Sequence, residues 1–318
     1  MDKLKEEIVR KLASAFGEGE LVPTKQGNQE SMSFKSNEGE DAFDTLQRIF
    51  GIRESARSLF GVVVGNAQSK ILTLHSSALL AFLCFNDVAN HPIKIGKTVY
   101  DEVMFEVKNG VITASNPSNV DVLLMGENRK KLLFLESKFT EYLACRKAEM
   151  SARRYKKFYD ELLAEGLQLD FYHKETEPVK QIYLFPGEGK KYVEGIKQAF
   201  SHLLGIATGP ARKQAAGNEA YNSSLLDNAT EIKFASIVFN CDNDKFENYK
   251  GLYESVFKNS DAIKEAIRKV VNKRERNVII VPELLQYQEV FQRYDLPDKV
   301  REFYDQVNDS KIRFSNNI

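Results

Sequence analysis

The stretch 119–138, NVDVLLMGENRKKLLFLESK, holds two apolar runs, Val120–Met125 and Leu132–Leu135, separated by the short polar turn Gly126–Lys130. Runs of this length on either side of a turn predict two antiparallel strands. Charge sits in each run at a telling place. Asp121 lies inside the first, and Glu136-x-Lys138 closes the second. Strand side chains alternate, so Glu136 and Lys138 project from the same face. A hairpin can set Asp121 on the neighbouring strand beside Glu136.

Outward from this hairpin, 98–108 (TVYDEVMFEVK) reads as a third strand ended by the Asn109-Gly110 turn, and 68–86 as a helical segment before it. Downstream, Thr140 to about Glu165 has a helical pattern, 180–185 reads as a strand, and 191–205 as a helix closed by Gly205. Residues 207–229 are rich in Gly, Ala, Asn and Ser and read as a surface excursion. The apolar runs 232–239 and 277–281 predict buried strands flanking a helix near 258–273. At the N-terminus, 2–16 suits a short helix with Leu4, Ile8, Leu12 and Phe16 on one face. Residues 17–42 read as a polar loop or mobile arm, and Ala42–Ile52 as a second helix. The expected architecture is α/β, a mixed sheet with helices on both faces. Residues 1–60 form an N-terminal helical and loop extension, and 61–318 the main domain with a helical insertion at about 140–190.

Bulk composition narrows the classes. Among 318 residues, Lys+Arg and Asp+Glu both count 45, so formal net charge is zero, which argues against a generally basic protein and leaves room for a local basic groove. The three cysteines, Cys84, Cys145 and Cys241, are far apart, which excludes a disulfide framework and a CxxC zinc site. His75, His91, His173 and His202 show no HExxH or HxH spacing. The charged, amphipathic N-terminus has no signal-peptide core, and the longest apolar stretch, around Ala78–Phe85, is far short of a membrane span. A cytoplasmic protein without membrane association is expected.

Carboxylates inside apolar strands need partners, and a metal ion is a good one. Mg²⁺ takes one or two carboxylates plus waters and phosphate oxygens, and a nearby Lys stabilises developing negative charge. Asp121, Glu136 and Lys138 are therefore a sufficient set for phosphodiester hydrolysis. Acid-x-Lys triplets alone are common, also at Glu106, Glu188, Glu231 and Asp309; only the one at 136 follows a four-residue apolar run with an acid in the preceding strand. The competing reading is a salt bridge at a strand end.

These residues resemble the PD-(D/E)xK nuclease superfamily, the restriction-endonuclease-like fold: helix, three antiparallel strands, helix, strand, with Asp on the second strand and (D/E)xK on the third. The phrases HSSALLAFLCFN, NPSNVDVLLM, LFLESKFTEYL and IKQAFSHLLGI look like a bacterial restriction-endonuclease-like branch, over about residues 65–285. The resemblance implies Mg²⁺ or Mn²⁺ held by Asp121 and Glu136, Lys138 as the catalytic lysine, and DNA as substrate, with a homodimer compatible. Pro117 stands four positions before Asp121, and 68–86 lacks the Glu that many members carry there. Glu106 substitutes for it, or Ser77 or Asn86 contributes indirectly, or that ligand is absent. The missing Glu also leaves open a catalytically inactive nucleic-acid- or partner-binding module on the same fold.

Gln198 and His202 share a helix face, similar to the supporting Gln-xxx-Tyr of some branches, or simply the polar edge of an amphipathic helix. Thr140 and Glu141 read as supporting groups or as a helix start. Arg153, Arg154, Lys156 and Lys157, interleaved with aromatics, read as a nucleic-acid backbone contact or as a solvated face. The cluster from Lys264 to Arg276 reads as an exposed helix. The turn 186–190 (PGEGK) lacks phosphate-loop spacing.

Overall fold

The strands, in chain order, are β1 (Leu21–Gln26), β2 (Gln29–Phe34), β3 (Ile93–Ile95), β4 (Thr98–Asn109), β5 (Ser118–Gly126), β6 (Lys131–Lys138), β7 (Met150–Ser151), β8 (Asp170–His173), β9 (Gln181–Phe185), β10 (Glu231–Val238) and β11 (Pro282–Gln286). The structure is a computed structural model describing residues 3–17, 19–26, 29–65, 71–110, 118–141, 150–151, 157–158, 160–162, 164–166, 170–173, 181–185, 194–271, 282–294 and 296–308. The central sheet has six strands in the order β11-β10-β6-β5-β4-β3. Strands β3 to β6 pair antiparallel, whereas β10 pairs parallel with both β6 and β11. The sheet is therefore mixed, as the strand order predicts.

Between β5 and β6 the chain turns through three successive non-glycine residues in the left-handed region, Glu127 (φ 51°), Asn128 (φ 56°) and Arg129 (φ 65°). Each such residue costs about 1 kcal/mol, and the adjoining strands repay it. β6 is buried from Leu132 to Lys138, so helices cover both faces. On one face the Ser137 hydroxyl donates to the Ser77 carbonyl at 2.9 Å and meets the Tyr287 hydroxyl at 2.7 Å. Those partners open the helices Ser77–Phe85 and Tyr287–Arg293. Glu136 and Lys138 point to the opposite face, towards the helix Glu194–Thr208.

Several expectations change. The segment 17–42 contains the β1–β2 hairpin, not a loop alone, and β2 continues onto the body: Phe34 N donates to Leu72 O at 3.0 Å and Leu74 N to Met32 O at 3.1 Å. This pairing takes 72–74 out of the predicted helix, which starts only after the Ser76 cap. The first sixty residues share a core with the C-terminus, through Phe16 on Phe34 (5.0 Å between ring centres) and Phe50 on Phe303 (5.5 Å). Among the described residues of 140–190, β7, β8 and β9 form a separate three-stranded sheet, so this stretch is not simply helical. The predicted strand 277–281 lies outside the described residues.

The loop after Thr208 is no mere surface excursion. It seals the outer edge of β4: Ala211 N donates to Lys108 O at 2.8 Å, and Gln214 takes both Lys108 N (2.9 Å) and Lys108 O (2.6 Å). Unpaired strand edges invite foreign strands, and this loop closes one. The helix predicted to stop at Gly205 runs through it to Thr208. A Cβ at 205 would stand 3.0 Å from Asn109 Cβ and 3.1 Å from Ser118 Cβ, so glycine lets the helix lie close on β4 and β5. Gly205→Ala gains up to about 1 kcal/mol of helix propensity but meets overpacking of roughly 1–3 kcal/mol. A net loss of about 1 kcal/mol in urea unfolding is expected, and a stabilised variant would contradict this packing.

Candidate active site

Strand pairing builds the site. Phe105 faces Val122 and Val107 faces Val120, so Glu106 stands level with Asp121. Val122 faces Leu135, so Asp121 stands level with Glu136, and Glu136 pairs with Ser236 on β10. Three carboxylates from three adjacent strands thus share one row across the sheet. Glu106 itself adopts φ 52°, inside a strand and without glycine's freedom. Such outliers persist where surroundings over-determine them, and they cluster at functional sites. Here the Phe105 carbonyl just before it accepts from the buried Asn218 Nδ2 at 2.6 Å.

Asp121, Glu136 and Lys138 line a cavity of about 310 Å³ with Ser77, Glu141, Gly195, Gln198 and Tyr249. Lys138 Nζ donates to Glu136 Oε1 at 2.5 Å, and His202 Nε2 lies 2.9 Å from Glu136 Oε2. Asp121 Oδ2 accepts from Ser137 N at 2.7 Å, a bond that ties β5 to β6 at this level. Gly195 brings the helix start so close to Tyr249 that a Cβ there would clash with its hydroxyl.

The electrostatics follow from burial and crowding. Burial, then the charges of Glu136 and Glu106, push the Asp121 carboxyl well above the usual range. Burial and Glu136 push Glu106 up to about 7. Glu136 goes the other way: against the raising effect of burial, Lys138 and His202 bring it down to about 2. Lys138 is raised, because Glu136 and Asp121 outweigh its own burial. The cavity lining carries three carboxylates, Asp121, Glu136 and Glu141, against one ammonium. A bound cation would relieve the crowding of carboxylates that raises Asp121.

The structure brings together Asp121, Glu136, Lys138, Glu106, Gln198 and His202. Glu141 also lines the cavity, its Oε2 accepting from Phe139 N at 2.7 Å, whereas Thr140 is buried and outside the lining. Ser77 belongs to the site; Asn86 instead caps its own helix through the Phe82 carbonyl at 2.8 Å. Of the basic stretch, Lys157 is an exposed helical residue, while Arg153, Arg154 and Lys156 lie outside the described residues, as does the turn 186–190. Sequence reasoning missed Ser118, Gly195 and Tyr249. Tyr249 was legible as part of Phe246, Tyr249, Tyr253 and Phe257, a buried helical stripe on Asn243–Phe257 capped by Asp242.

Among the described residues no group of three or more His, Cys, Asp or Glu side chains is arranged to hold a metal ion, and no helix is long and apolar enough to cross a membrane. Comparisons of the chain with protein-family models, with curated proteins and with solved structures each return no match.

Proposed function

We propose that the chain is a Mg²⁺-dependent nuclease with a restriction-endonuclease-like core, hydrolysing phosphodiester bonds in DNA. The observation that carries this reading is the row of Glu106, Asp121 and Glu136 across β4, β5 and β6, with Lys138 on the same face as Glu136. The resemblance of the NPSNVDVLLM and LFLESKFTEYL phrases to PD-(D/E)xK enzymes supports it independently of the geometry.

The donor set suits a hard divalent cation, which needs only one or two carboxylates because waters and phosphate oxygens complete its shell. Asp121 and Glu136 would hold it, and its charge would favour the ionised form of the crowded Asp121 carboxyl. When bound, the ion supplies Lewis-acid polarisation of the phosphate and a water of lowered pKa. Lys138 presents an ammonium to the negative charge that develops on the phosphate during attack. Glu106, held high in its proton affinity beside Asp121, takes the place of the helix Glu that 68–86 lacks. His202 and Ser137 N hold the two proposed metal-binding carboxylates in place.

A second reading, a catalytically inactive binding module, is favoured by one observation: Lys138 already donates to one oxygen of Glu136, and His202 stands 2.9 Å from the other. One experiment separates the two. Purified protein is expected to cut DNA in Mg²⁺ or Mn²⁺ and not in chelator, and to bind Mn²⁺ in calorimetry. Neither cleavage nor Mn²⁺ binding at millimolar metal would overturn the nuclease and favour the module.

A further inference from the structure

The loop that seals β4 carries two cations, and both are fixed beside a third. Ala211 N donates to Lys108 O at 2.8 Å, Lys108 N donates to Gln214 Oε1 at 2.9 Å, and Gln214 Nε2 donates to Lys108 O at 2.6 Å. Arg212 and Lys213 are the two residues between those anchors, and both are exposed. Gly110 N donates to Gly209 O at 2.7 Å and Asn109 bridges to Pro210, so the entry of the loop is tied to the same strand end. Three cationic side chains therefore start from one clamped patch of backbone around Lys108.

Their charge is not spent inside the protein. Arg48, Arg129 and Arg268 each meet a carboxylate, at 2.9, 2.6 and 2.6 Å. Lys108, Arg212 and Lys213 make no ion pair among the described residues. The one acid of the loop, Glu219, turns its carboxylate back onto Gly217 N at 3.1 Å. The patch also borders the carboxylate row: Lys108 stands two residues from Glu106, and its charge acts against the burial and the Glu136 charge that raise that carboxyl. Exposed cations without a carboxylate partner attract a polyanion. A loop already clamped to a strand has little left to order when one binds.

We propose that Lys108, Arg212 and Lys213 form a landing for the DNA backbone beside the carboxylate row. The inference rests on the nuclease reading for the identity of the polyanion. Backbone contacts of this kind fix register and orientation and carry no base information, so the landing binds DNA irrespective of sequence. Each cation releases counterions condensed on the duplex, and added salt competes with it. None of the three lines the cavity with Asp121 and Glu136, so binding and chemistry can be lost separately.

The test is a salt titration of binding on the full chain, with a short fluorescent DNA duplex as probe and chelator present so that nothing is cut. In Lys108→Gln/Arg212→Gln/Lys213→Gln the slope of log affinity against log salt is expected to flatten by about three, one for each backbone contact removed. At roughly 0.1 M salt the affinity loss is about 10²–10³-fold, the same for duplexes of unrelated sequence. Arg212→Gln/Lys213→Gln changes only exposed side chains and should flatten the slope by about two. Lys94→Gln/Lys97→Gln, two exposed cations at the β3–β4 turn, controls for overall charge and should leave the slope nearly as it is. An unchanged slope in the folded triple variant overturns the landing. So does an equal change in the control pair, or a wild-type protein that binds no duplex at low salt. Cleavage in Mg²⁺ is scored separately: binding that depends on these cations without any cleavage sinks the nuclease reading and leaves the landing standing.

Discussion

Lys138→Met is expected to lose DNA cleavage by about 10²–10³-fold, the usual loss for one donor aimed at developing negative charge, and to lose several kcal/mol of stability. The two losses have separate origins. Lys138 is 8% exposed and its ammonium lies 2.5 Å from Glu136. Removing one partner of a buried pair strands the other, which costs roughly 3–5 kcal/mol. Glu136 would keep His202, but it would still face the row-mates Asp121 and Glu106 with one cation fewer. Glu136→Gln/Lys138→Met removes both charges and is expected to recover most of the stability while remaining inactive. The pH dependence has a definite sign. Lys138 and His202 hold the Glu136 carboxyl at about 2, so its contribution is present above the unfolded carboxyl value, about 4.3, and fades as pH falls towards 2. The gap between wild type and Lys138→Met should therefore be full at pH 7 and narrow below about pH 4. Urea unfolding across that range checks it. A single variant as stable as wild type at pH 7 would mean the pair contributes nothing.

Acidification from pH 7 to pH 4 is expected to cost about 3 kcal/mol through one imidazole, His75. Its side chain is buried in the segment that β2 pairs with, and its Nδ1 lies 2.9 Å from the Ser31 hydroxyl. Burial, with a contribution from Lys5, lowers it to about 4 from an ordinary 6.5. The unfolded chain takes up the proton below 6.5 and the folded protein resists until about 4. Stability is therefore whole above 6.5, falls between those values, and then levels off. At 1.36 kcal/mol per unit, the shift amounts to about 3 kcal/mol. Carboxylates also respond in this range, so the informative quantity is the difference between wild type and His75→Gln. That difference should change by kilocalories between pH 7 and pH 4.5; parallel curves would contradict the assignment. The β1–β2 hairpin, joined to the body beside this imidazole, is the part expected to loosen first.

The hairpin that decides the fold was legible because each of its strands is an apolar run with charge out of place, one acid in the first and Glu136-x-Lys138 in the second. Asp121, Glu136 and Lys138 follow from that alone. Glu106 was ambiguous, since its backbone conformation and its level opposite Asp121 depend on pairing and on Asn218, more than a hundred residues away. β1 and β2 were hidden for a different reason: LVPTKQ and QESMSF are mostly polar, and the pairing of β2 with 72–74 supplies the order that composition does not. Gly205 was misread as a helix end because glycine commonly marks one; it is here for proximity. The sealing of β4 by the 209–221 loop has no local signature, since Gln214 and Asn218 bond to backbone atoms that any sequence would offer.

The carboxylate row also has a consequence for how this chain can change. Glu106, Asp121 and Glu136 follow one another at intervals of fifteen residues, and each interval joins two antiparallel strands. The site is therefore a matter of counting. Substitutions in Glu127–Lys130 keep the count and leave the row standing. One residue added there, if the strands slid to absorb it, would turn Glu136 to the far face and put an alternate neighbour level with Asp121. The sheet would survive such an edit with its apolar residues rearranged, and the acids would no longer meet. In this protein length between strands is the heritable variable on which the chemistry depends, more than the identity of the loops that span it.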